Sequence, residues 1–452
     1  MVRSPRSVTR SDALTRRIVA TGALVAATAW IAAPAEAYDA GGQWYIDVFH
    51  IKDFHAQGID GTGVTVAVVH TAINLDVPEL KGADIRVKEP SQCYGPGGAG
   101  QSSVSDDPAL AFHGTNMVID IVGNGAGYDG QTGITGIAPK ATVLFYSMGA
   151  ANGVCESPGA LTSAEGLVWS NMVSTAIIDA TDQGAAIISL SISSTGGLLD
   201  DALAYAMHRG VIVVASLTNQ TSSDDLLANA DGWPAVNNGV VSVGALDAEG
   251  KVLINGMGEP STSDYVDVVA PGADILTRGD GVTSWQTQGI DKGNSFATAI
   301  TAGNVALAIQ KYPTATHNQI IQSLIHNTDA QPHKFRYDSK HQYGYGVADT
   351  ISLLAADPTH YEDVNPLLVE GALIGPTPQQ VLDGLGASPS PSASSDPTAQ
   401  PTANATPAPH PGDGSSSPMM WLLIGGGVLL LILIGVGITI AVASSKPKNT
   451  ES

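Results

Sequence analysis

Positive charge is scarce in this sequence. Its 452 residues contain 20 Lys and Arg against 42 Asp and Glu, and the formal net charge is −22. A surface that follows nucleic-acid phosphates needs clustered Lys and Arg, so the composition argues against a nucleic-acid partner. Aromatic residues make up only 5% of the chain. That scarcity is expected of an α/β core packed closely from small residues.

The N-terminus has the pattern of a targeting segment. Residues 18–33 are apolar and are followed by small residues around Ala35 and Ala37. We interpret residues 1–37 as a secretory signal peptide that is cleaved after Ala37, with an uncleaved anchor as the alternative. The arginines that precede the apolar run are Arg3, Arg6, Arg10, Arg16 and Arg17.

The C-terminal end predicts a membrane anchor. Residues 419–443 form an uninterrupted apolar run of about a membrane's thickness. Lys446 follows at once, which predicts that the tail, residues 444–452, is cytoplasmic. Residues 376–418 are rich in Pro, Ser and Thr and predict a disordered stalk. We therefore expect a single-pass protein of the cell membrane with an extracytoplasmic body.

Only two cysteines are present, Cys93 and Cys155, and both fall in the part predicted to be exported. An oxidising compartment favours a disulfide between them, with two free thiols or an intermolecular bridge as the alternatives. Their spacing fits no zinc pattern, and no Asp/Glu cluster has the spacing of a dedicated calcium site. We therefore predict no metal and no cofactor.

Between the terminal segments, β-rich runs alternate with helical stretches. This alternation predicts an α/β fold with a mainly parallel sheet and helices on both faces. Residues 64–69 are a continuous β-rich run, typical of a strand buried on both sides. The other predicted strands cover residues 141–147, 186–192, 211–216, 240–246 and 266–269, and the predicted helices cover residues 174–183, 200–209, 318–326 and those after Ser295.

Ser295 follows a Gly293-Asn294 turn and opens an Ala-rich helix. Backbone N–H groups at a helix N-terminus favour negative charge, which suits a nucleophile whose transition state carries an oxyanion. Taken alone, a serine at a helix start is more often only an N-cap.

Residues 293–303 resemble the G-T-S-x-A-T-P signature around the nucleophile of subtilisin-like serine proteases, peptidase family S8. Asn294 replaces the Thr of that signature and Ala299 replaces the Pro. The resemblance implies a subtilisin-like fold, one peptidase domain over residues 38–375 and serine endopeptidase chemistry. Further family motifs occur along the chain in the family's order: Gly136-Ile137-Ala138-Pro139, Trp233-Pro234-Ala235, Ala270-Pro271-Gly272 and Tyr343-Gly344-Tyr345-Gly346. Export, stalk, membrane helix and basic tail resemble the mycosins, membrane-anchored proteases of type VII secretion systems.

Besides Ser295, the resemblance assigns two further catalytic positions. His113, in His113-Gly114-Thr115, matches the family's general base, although a lone histidine is more often structural. Asn219 falls where the family keeps its side-chain oxyanion donor, but Thr218 stands where a Gly is usual.

The third member of the triad differs from the family pattern. His70 stands at the position of the acid, and Ala72 replaces the Gly of the D-T-G motif. A neutral His70 could accept a hydrogen bond from His113 and fix its tautomer, but it supplies no negative charge opposite the imidazolium. The carboxylates that could substitute for the acid are Asp76, Asp106, Asp107 and Asp120.

Two functions therefore remain open. The first is a pseudoprotease, weak or inactive as an endopeptidase, that binds a peptide or protein and acts as a scaffold beside a type VII secretion apparatus. The second is an active mycosin-like endopeptidase with a rewired triad that processes exported proteins.

Overall fold

The computed structural model describes residues 41–95, 99–149, 165–193, 198–219, 232–256, 258–261, 263–328, 338 and 342–384. All of them belong to the first of two units into which the chain divides by its internal contacts, Met1–Pro389. The predicted signal peptide, membrane helix and cytoplasmic tail, and most of the predicted stalk, lie outside the described residues. Within the described residues, no helix is both long enough and apolar enough to cross a membrane.

Strands and helices alternate along the chain. The strands are β1 (Thr65–His70), β2 (Ile85–Lys88), β3 (Tyr94–Gly95), β4 (Ala99–Gly100), β5 (Asn124–Ala126), β6 (Thr132–Thr135), β7 (Thr142–Ser147), β8 (Ile187–Leu190), β9 (Ile212–Ser216), β10 (Val241–Leu246), β11 (Val268–Pro271), β12 (Ile275–Arg278) and β13 (Gln288–Asp291). The helices are α1 (Trp44–Val48), α2 (Ile51–Ala56), α3 (Pro108–Val122), α4 (Glu165–Asp182), α5 (Asp200–His208), α6 (Asn294–Lys311), α7 (His317–His326), α8 (Thr350–Ala355) and α9 (Pro378–Asp383).

Seven strands form the central sheet, in the order β11-β10-β9-β8-β1-β7-β2. Every pairing within it is parallel. Strand β1 lies between β7 and β8, with Val66 opposite Val143 and Ile187. The α/β fold with a mainly parallel sheet is thereby confirmed. In a parallel sheet the carboxyl ends of the strands meet at one edge, and His70 stands there as the last residue of β1.

Helices cover the sheet. All residues of β1 from Val66 to His70 are buried, so neighbouring elements cover both of its faces. Helix α6 packs against β8, β9, β10 and α3, while α4 and α5 pack against each other and against the sheet. Helix α9 lies beyond the predicted domain boundary at Gly375 and packs against α5.

Gly114 lets α3 approach the chain just after β1. A Cβ atom at this position would lie 2.4 Å from the carbonyl oxygen of Ala72 and 3.3 Å from the ring of Phe145. No side chain fits such a gap, so the glycine fixes the height of α3 above the end of β1. Its neighbour His113 is thereby held close to His70.

Three sequence predictions differ from the structure. Helix α4 begins at Glu165, nine residues before the predicted start, because Ser174 lies within the helix and does not cap it. Strand β11 begins at Val268 and not at residue 266, since the Asp267 side chain accepts the backbone N–H of Ser242 next to the start of the ladder. The antiparallel pair β12–β13 carries no strong β-rich pattern and was not predicted.

Cys93 is buried and disulfide-bonded, as predicted. The other cysteine of the chain, Cys155, lies outside the described residues.

Candidate active site

Ser295 is the second residue of α6, which begins after the N-cap Gly293. As one of the first residues of the helix, it has a backbone N–H without an intrahelical acceptor. The side chain is buried, and its hydroxyl donates to the Ser191 carbonyl oxygen at 3.4 Å. In return, the Ser191 hydroxyl donates to the Ser295 carbonyl oxygen at 2.8 Å. The candidate nucleophile is thus tied to the chain that leaves β8.

Asn294 fixes the start of α6 against two strands. Its Oδ1 accepts the backbone N–H of Ala245 in β10 at 2.8 Å. Its Nδ2 donates to the carbonyl oxygens of Leu217 at 3.2 Å and Thr218 at 3.1 Å, just beyond β9. The side chain is fully buried and every hydrogen bond it makes is to the backbone. The replacement of the family's Thr by Asn therefore adds a structural clamp, a role that the sequence pattern did not reveal.

Asn219 lies beside this turn. Its Oδ1 accepts the backbone N–H of Asn294 at 2.8 Å, which leaves the Nδ2 amide as the free end of the side chain. A Cβ atom on Gly293 would lie 3.2 Å from that Nδ2. The Asn219 amide and the Ser295 backbone N–H therefore lie on the same turn. Two such donors are the arrangement that stabilises an oxyanion.

The two histidines are in direct contact. Nε2 of His70 lies 2.7 Å from Nδ1 of His113, and the ring centroids are 4.5 Å apart. His70 is 3% exposed and also places Nε2 at 3.0 Å from the Ser191 carbonyl oxygen. The structure thus brings His113, His70 and Ser295 into one chain of contacts through the Ser191 carbonyl.

Thr71 determines the direction of the hydrogen bond between the histidines. Its backbone N–H donates to Nδ1 of His70 at 2.7 Å, so that nitrogen carries a lone pair. The ring proton of a neutral His70 is therefore on Nε2, between two acceptors, the Ser191 carbonyl oxygen and Nδ1 of His113. We expected His70 to accept a hydrogen bond from His113. The geometry instead makes His70 the donor.

The tautomer of His113 follows from this geometry. Because Nδ1 of His113 accepts a hydrogen bond from Nε2 of His70, the proton of a neutral His113 is on its own Nε2. A general base needs the opposite arrangement, with a lone pair on the nitrogen that faces the nucleophile. Among the described residues, the Ser295 hydroxyl donates to the Ser191 carbonyl and makes no hydrogen bond to His113. The side chains at the positions of the nucleophile and the base are therefore not hydrogen-bonded to each other in the described residues.

Burial keeps both imidazoles neutral. It lowers the pKa of His70 well below 6.5, and the neighbouring His113 lowers it further. Burial also lowers the pKa of His113, against a smaller opposite effect of Asp291. Desolvation disfavours the charged form of a base, so neither ring gains a proton at neutral pH.

None of the four carboxylates considered as substitutes hydrogen-bonds to His113 in the described part of the chain. Asp76 pairs with Lys81 at 2.7 Å. Asp107 caps α3 by accepting the backbone N–H of Ala109. Asp120 is fully buried two turns along α3. Asp106 precedes the cap, where its carbonyl oxygen accepts the indole N–H of Trp285.

Thr71 and Ser191 hold the His70 ring through backbone groups and not through side chains. The Thr71 N–H and the Ser191 carbonyl orient His70, and neither group depends on a side-chain type that a motif search detects. The only sequence signal for this role was the position of Ser191. It lies just beyond β8, at the sheet edge where β1 also ends. No three His, Cys, Asp or Glu side chains among the described residues are grouped closely enough to hold a metal ion.

The comparisons with known proteins agree with this fold. The Subtilase family, Peptidase_S8, matches residues 61–346. Fervidolysin from Fervidobacterium pennivorans is 30% identical over 321 residues, which cover 67% of this chain and 42% of fervidolysin. Subtilisin DY from Bacillus licheniformis is 28% identical over 270 residues, which cover 59% of this chain and 83% of the subtilisin.

A solved structure of MycP1 from the ESX-1 type VII secretion system superposes with a TM-score of 0.52 at 21% identity, covering 72% of this chain and 88% of MycP1. At 21% identity this similarity shows a shared fold and nothing more. Since the family match extends over more than half of the chain, the protein belongs to the subtilase family of serine proteases. The chain spans less than half the length of fervidolysin.

Proposed function

We propose that this protein is an extracytoplasmic subtilase homologue that binds polypeptides and hydrolyses them weakly or not at all. Residues 419–443 anchor it in the cell membrane, and residues 376–418 hold the domain away from it. In this function the subtilisin-like domain is a scaffold or a peptide-binding module. The proposal extends to a place beside a type VII secretion apparatus, because the architecture resembles the mycosins and the fold resembles MycP1.

One contact carries the proposal: Nε2 of His70 lies 2.7 Å from Nδ1 of His113, and the Thr71 N–H at Nδ1 of His70 makes Nε2 of His70 the donor. A base that presents N–H to the nucleophile does not take its proton. In another serine protease, changing the acid so that the histidine adopts the wrong tautomer lowers kcat by about 10⁴. When an imidazolium forms, the neutral His70 also offers it no negative charge.

Reversing the tautomer is costly at this site. With its proton on Nδ1, His70 could donate to the Thr71 hydroxyl at 3.2 Å, but the Thr71 N–H would lose its acceptor and His70 would lose its hydrogen bond to Ser191. Each buried donor left without an acceptor costs about 1–3 kcal/mol. The local backbone therefore favours the tautomer that is unsuited to catalysis.

A fluorophosphonate probe tests this proposal, because it reports an activated serine without requiring a good substrate. The wild-type protein should label slowly at Ser295. The variant His70→Asp should label much faster, and His70→Asp combined with Ser295→Ala should not label at all. Rapid labelling of the wild type, abolished by Ser295→Ala, would refute the proposal.

An active endopeptidase is the second candidate function. The Asn219 amide and the backbone N–H of Ser295 lie on one turn, and these donors favour it. In that case the His70–His113 pair reverses its hydrogen bond when substrate binds. Hydrolysis of a peptide substrate by the wild type that is lost in both Ser295→Ala and His70→Ala would identify this function.

A further inference from the structure

We propose that the turn around Ser295 binds the C-terminal carboxylate of a polypeptide. The proposal rests on the proposed function, since it names the ligand of a site that holds peptides without cleaving them. It is carried by the juxtaposition of the His113 ring, the Asn219 amide and the start of α6, all of which present hydrogen-bond donors.

The first donor is the imidazole of His113. Its Nδ1 accepts from His70, so Nε2 carries the proton on the side of the ring away from His70. The ring centroid of His113 lies 6.0 Å from that of Phe296, the residue after Ser295. His113 is only half-buried, so this N–H remains within reach of a ligand.

The second donor is the amide of Asn219. Its orientation is fixed, because Oδ1 accepts the backbone N–H of Asn294 at 2.8 Å. The two N–H bonds of Nδ2 make no hydrogen bond to another described residue. Like His113, Asn219 is half-buried.

The third donor is the backbone of α6. The 18-residue helix begins at Asn294, so the Ser295 N–H lies in its first turn, where the helix dipole favours negative charge. No Asp or Glu hydrogen-bonds to His113, Asn219 or Ser295 in the described residues. None of the three donors is thus hydrogen-bonded to a carboxylate in that part of the chain, although the charge of Asp291 raises the pKa of His113 against the larger effect of burial.

This set of donors suits a product better than a substrate. A carboxylate accepts hydrogen bonds on both oxygens, whereas a peptide amide offers one carbonyl oxygen and adds an N–H that meets other donors. Hydrogen bonds to an ionised acceptor are also about twice as strong as neutral ones. A polypeptide that ends at this position would use all three donors.

The test compares two pools of N-acetylated hexapeptides with the same randomised residues, one ending in a carboxylate and one in a carboxamide. Binding to the purified extracytoplasmic part of the protein is measured by equilibrium dialysis and mass spectrometry. We expect the acids to bind at least about tenfold more tightly, because one charge-assisted hydrogen bond contributes about 1.5 kcal/mol or more. Acetate alone should compete only at much higher concentration.

Asn219→Asp keeps the acceptor for the Asn294 N–H and replaces the donor by a charged oxygen, so it should abolish the preference for acids. Gln183→Glu adds the same charge at an exposed position after α4 and should leave the preference unchanged. Equal binding of acids and amides without cleavage would overturn this inference and leave the proposed function standing, as would binding of the amides alone. Cleavage of the peptides would overturn the proposed function. Acetate that competes as well as the acids would exclude a polypeptide ligand.

Discussion

The backbone N–H of Thr71 donates to Nδ1 of His70 at 2.7 Å, and this contact decides what His113 presents to Ser295. It leaves the His70 proton on Nε2, where it meets Nδ1 of His113. A carboxylate at position 70 would accept from both groups. A neutral imidazole accepts a hydrogen bond from the Thr71 N–H and must donate one to His113.

The tautomers of the two histidines can be observed directly. We expect ¹⁵N NMR of the imidazole rings to show Nε2 protonated and Nδ1 unprotonated in both His70 and His113. Burial lowers both pKa values, so these tautomers should persist as the pH falls from 8 through 6.5. His55, whose Nε2 lies 2.8 Å from the Ile137 carbonyl outside the site, is a suitable reference ring. A protonated Nδ1 in His113 at pH 8 would contradict the derived hydrogen-bond direction.

Restoring the acid should restore catalysis. In subtilisin, loss of the acid alone lowers kcat by about 3 × 10⁴. We therefore expect His70→Asp to raise kcat for a peptide substrate by about 10²–10⁴, because it returns the His113 lone pair to Nε2 and stabilises the imidazolium. Steady-state hydrolysis of a chromogenic peptide measures the gain.

His70→Ala is the matched control for that gain. It removes the donor without adding a charge, so its kcat should stay within about tenfold of the wild type, far below that of His70→Asp. A loss of existing activity in His70→Ala would show that His70 orients an active base.

We expect the buried hydroxyl of Tyr45 to destabilise the folded protein. The hydroxyl is fully buried without a hydrogen-bond partner in the described residues, and burial together with the nearby Asp120 raises its pKa well above 10. Tyr45→Phe removes the desolvation cost of this group and should raise the free energy of unfolding by about 1 kcal/mol. Urea denaturation followed by circular dichroism measures the change.

Tyr146→Phe is the matched control for Tyr45, since the Tyr146 hydroxyl donates to Asp179 at 2.7 Å. It should lower the free energy of unfolding by about 1 kcal/mol. If both variants are destabilised alike, a buried water satisfies the Tyr45 hydroxyl.

Asp267 should make the protein less stable as the pH rises. Burial raises its pKa to about 7, whereas an unfolded Asp titrates near 3.9. Between these values the native state holds a proton that the unfolded state has lost, so the free energy of unfolding falls with increasing pH. Asp267→Asn keeps an acceptor for the Ser242 N–H, and should match the wild type at pH 4 and exceed it by about 2–4 kcal/mol at pH 8.

Asp280 should give the opposite pH dependence of stability and serves as the comparison for Asp267. Three backbone N–H groups hold its pKa well below the usual range, so its stabilisation is present at neutral pH and is lost in acid. Asp280→Asn should therefore destabilise the protein at pH 7 and have little effect below pH 2. If the free energies of unfolding of Asp267→Asn and the wild type depend on pH in the same way, Asp267 is ionised at neutral pH without destabilising the protein.

The sheet could be predicted because continuous β-branched runs such as residues 64–69 are specific for strands buried on both faces. The positions of His113 and Ser295 could be predicted because motif spacing identified them. The direction of the His70–His113 hydrogen bond could not, since it depends on the Thr71 N–H, which every non-proline residue at that position carries. The start of α4 was placed too late because Ser174 offered a local capping signal that tertiary packing overrides.

Asn294 has a consequence for how this protein could evolve. Its side chain binds backbone groups at Ala245, Leu217 and Thr218, and touches none of the atoms that perform chemistry. The shape of the turn around Ser295 is thus held by contacts to the backbone that do not depend on the residue at position 70. A lineage that carries this clamp can therefore change the residue at position 70 and keep the shape of the turn around Ser295.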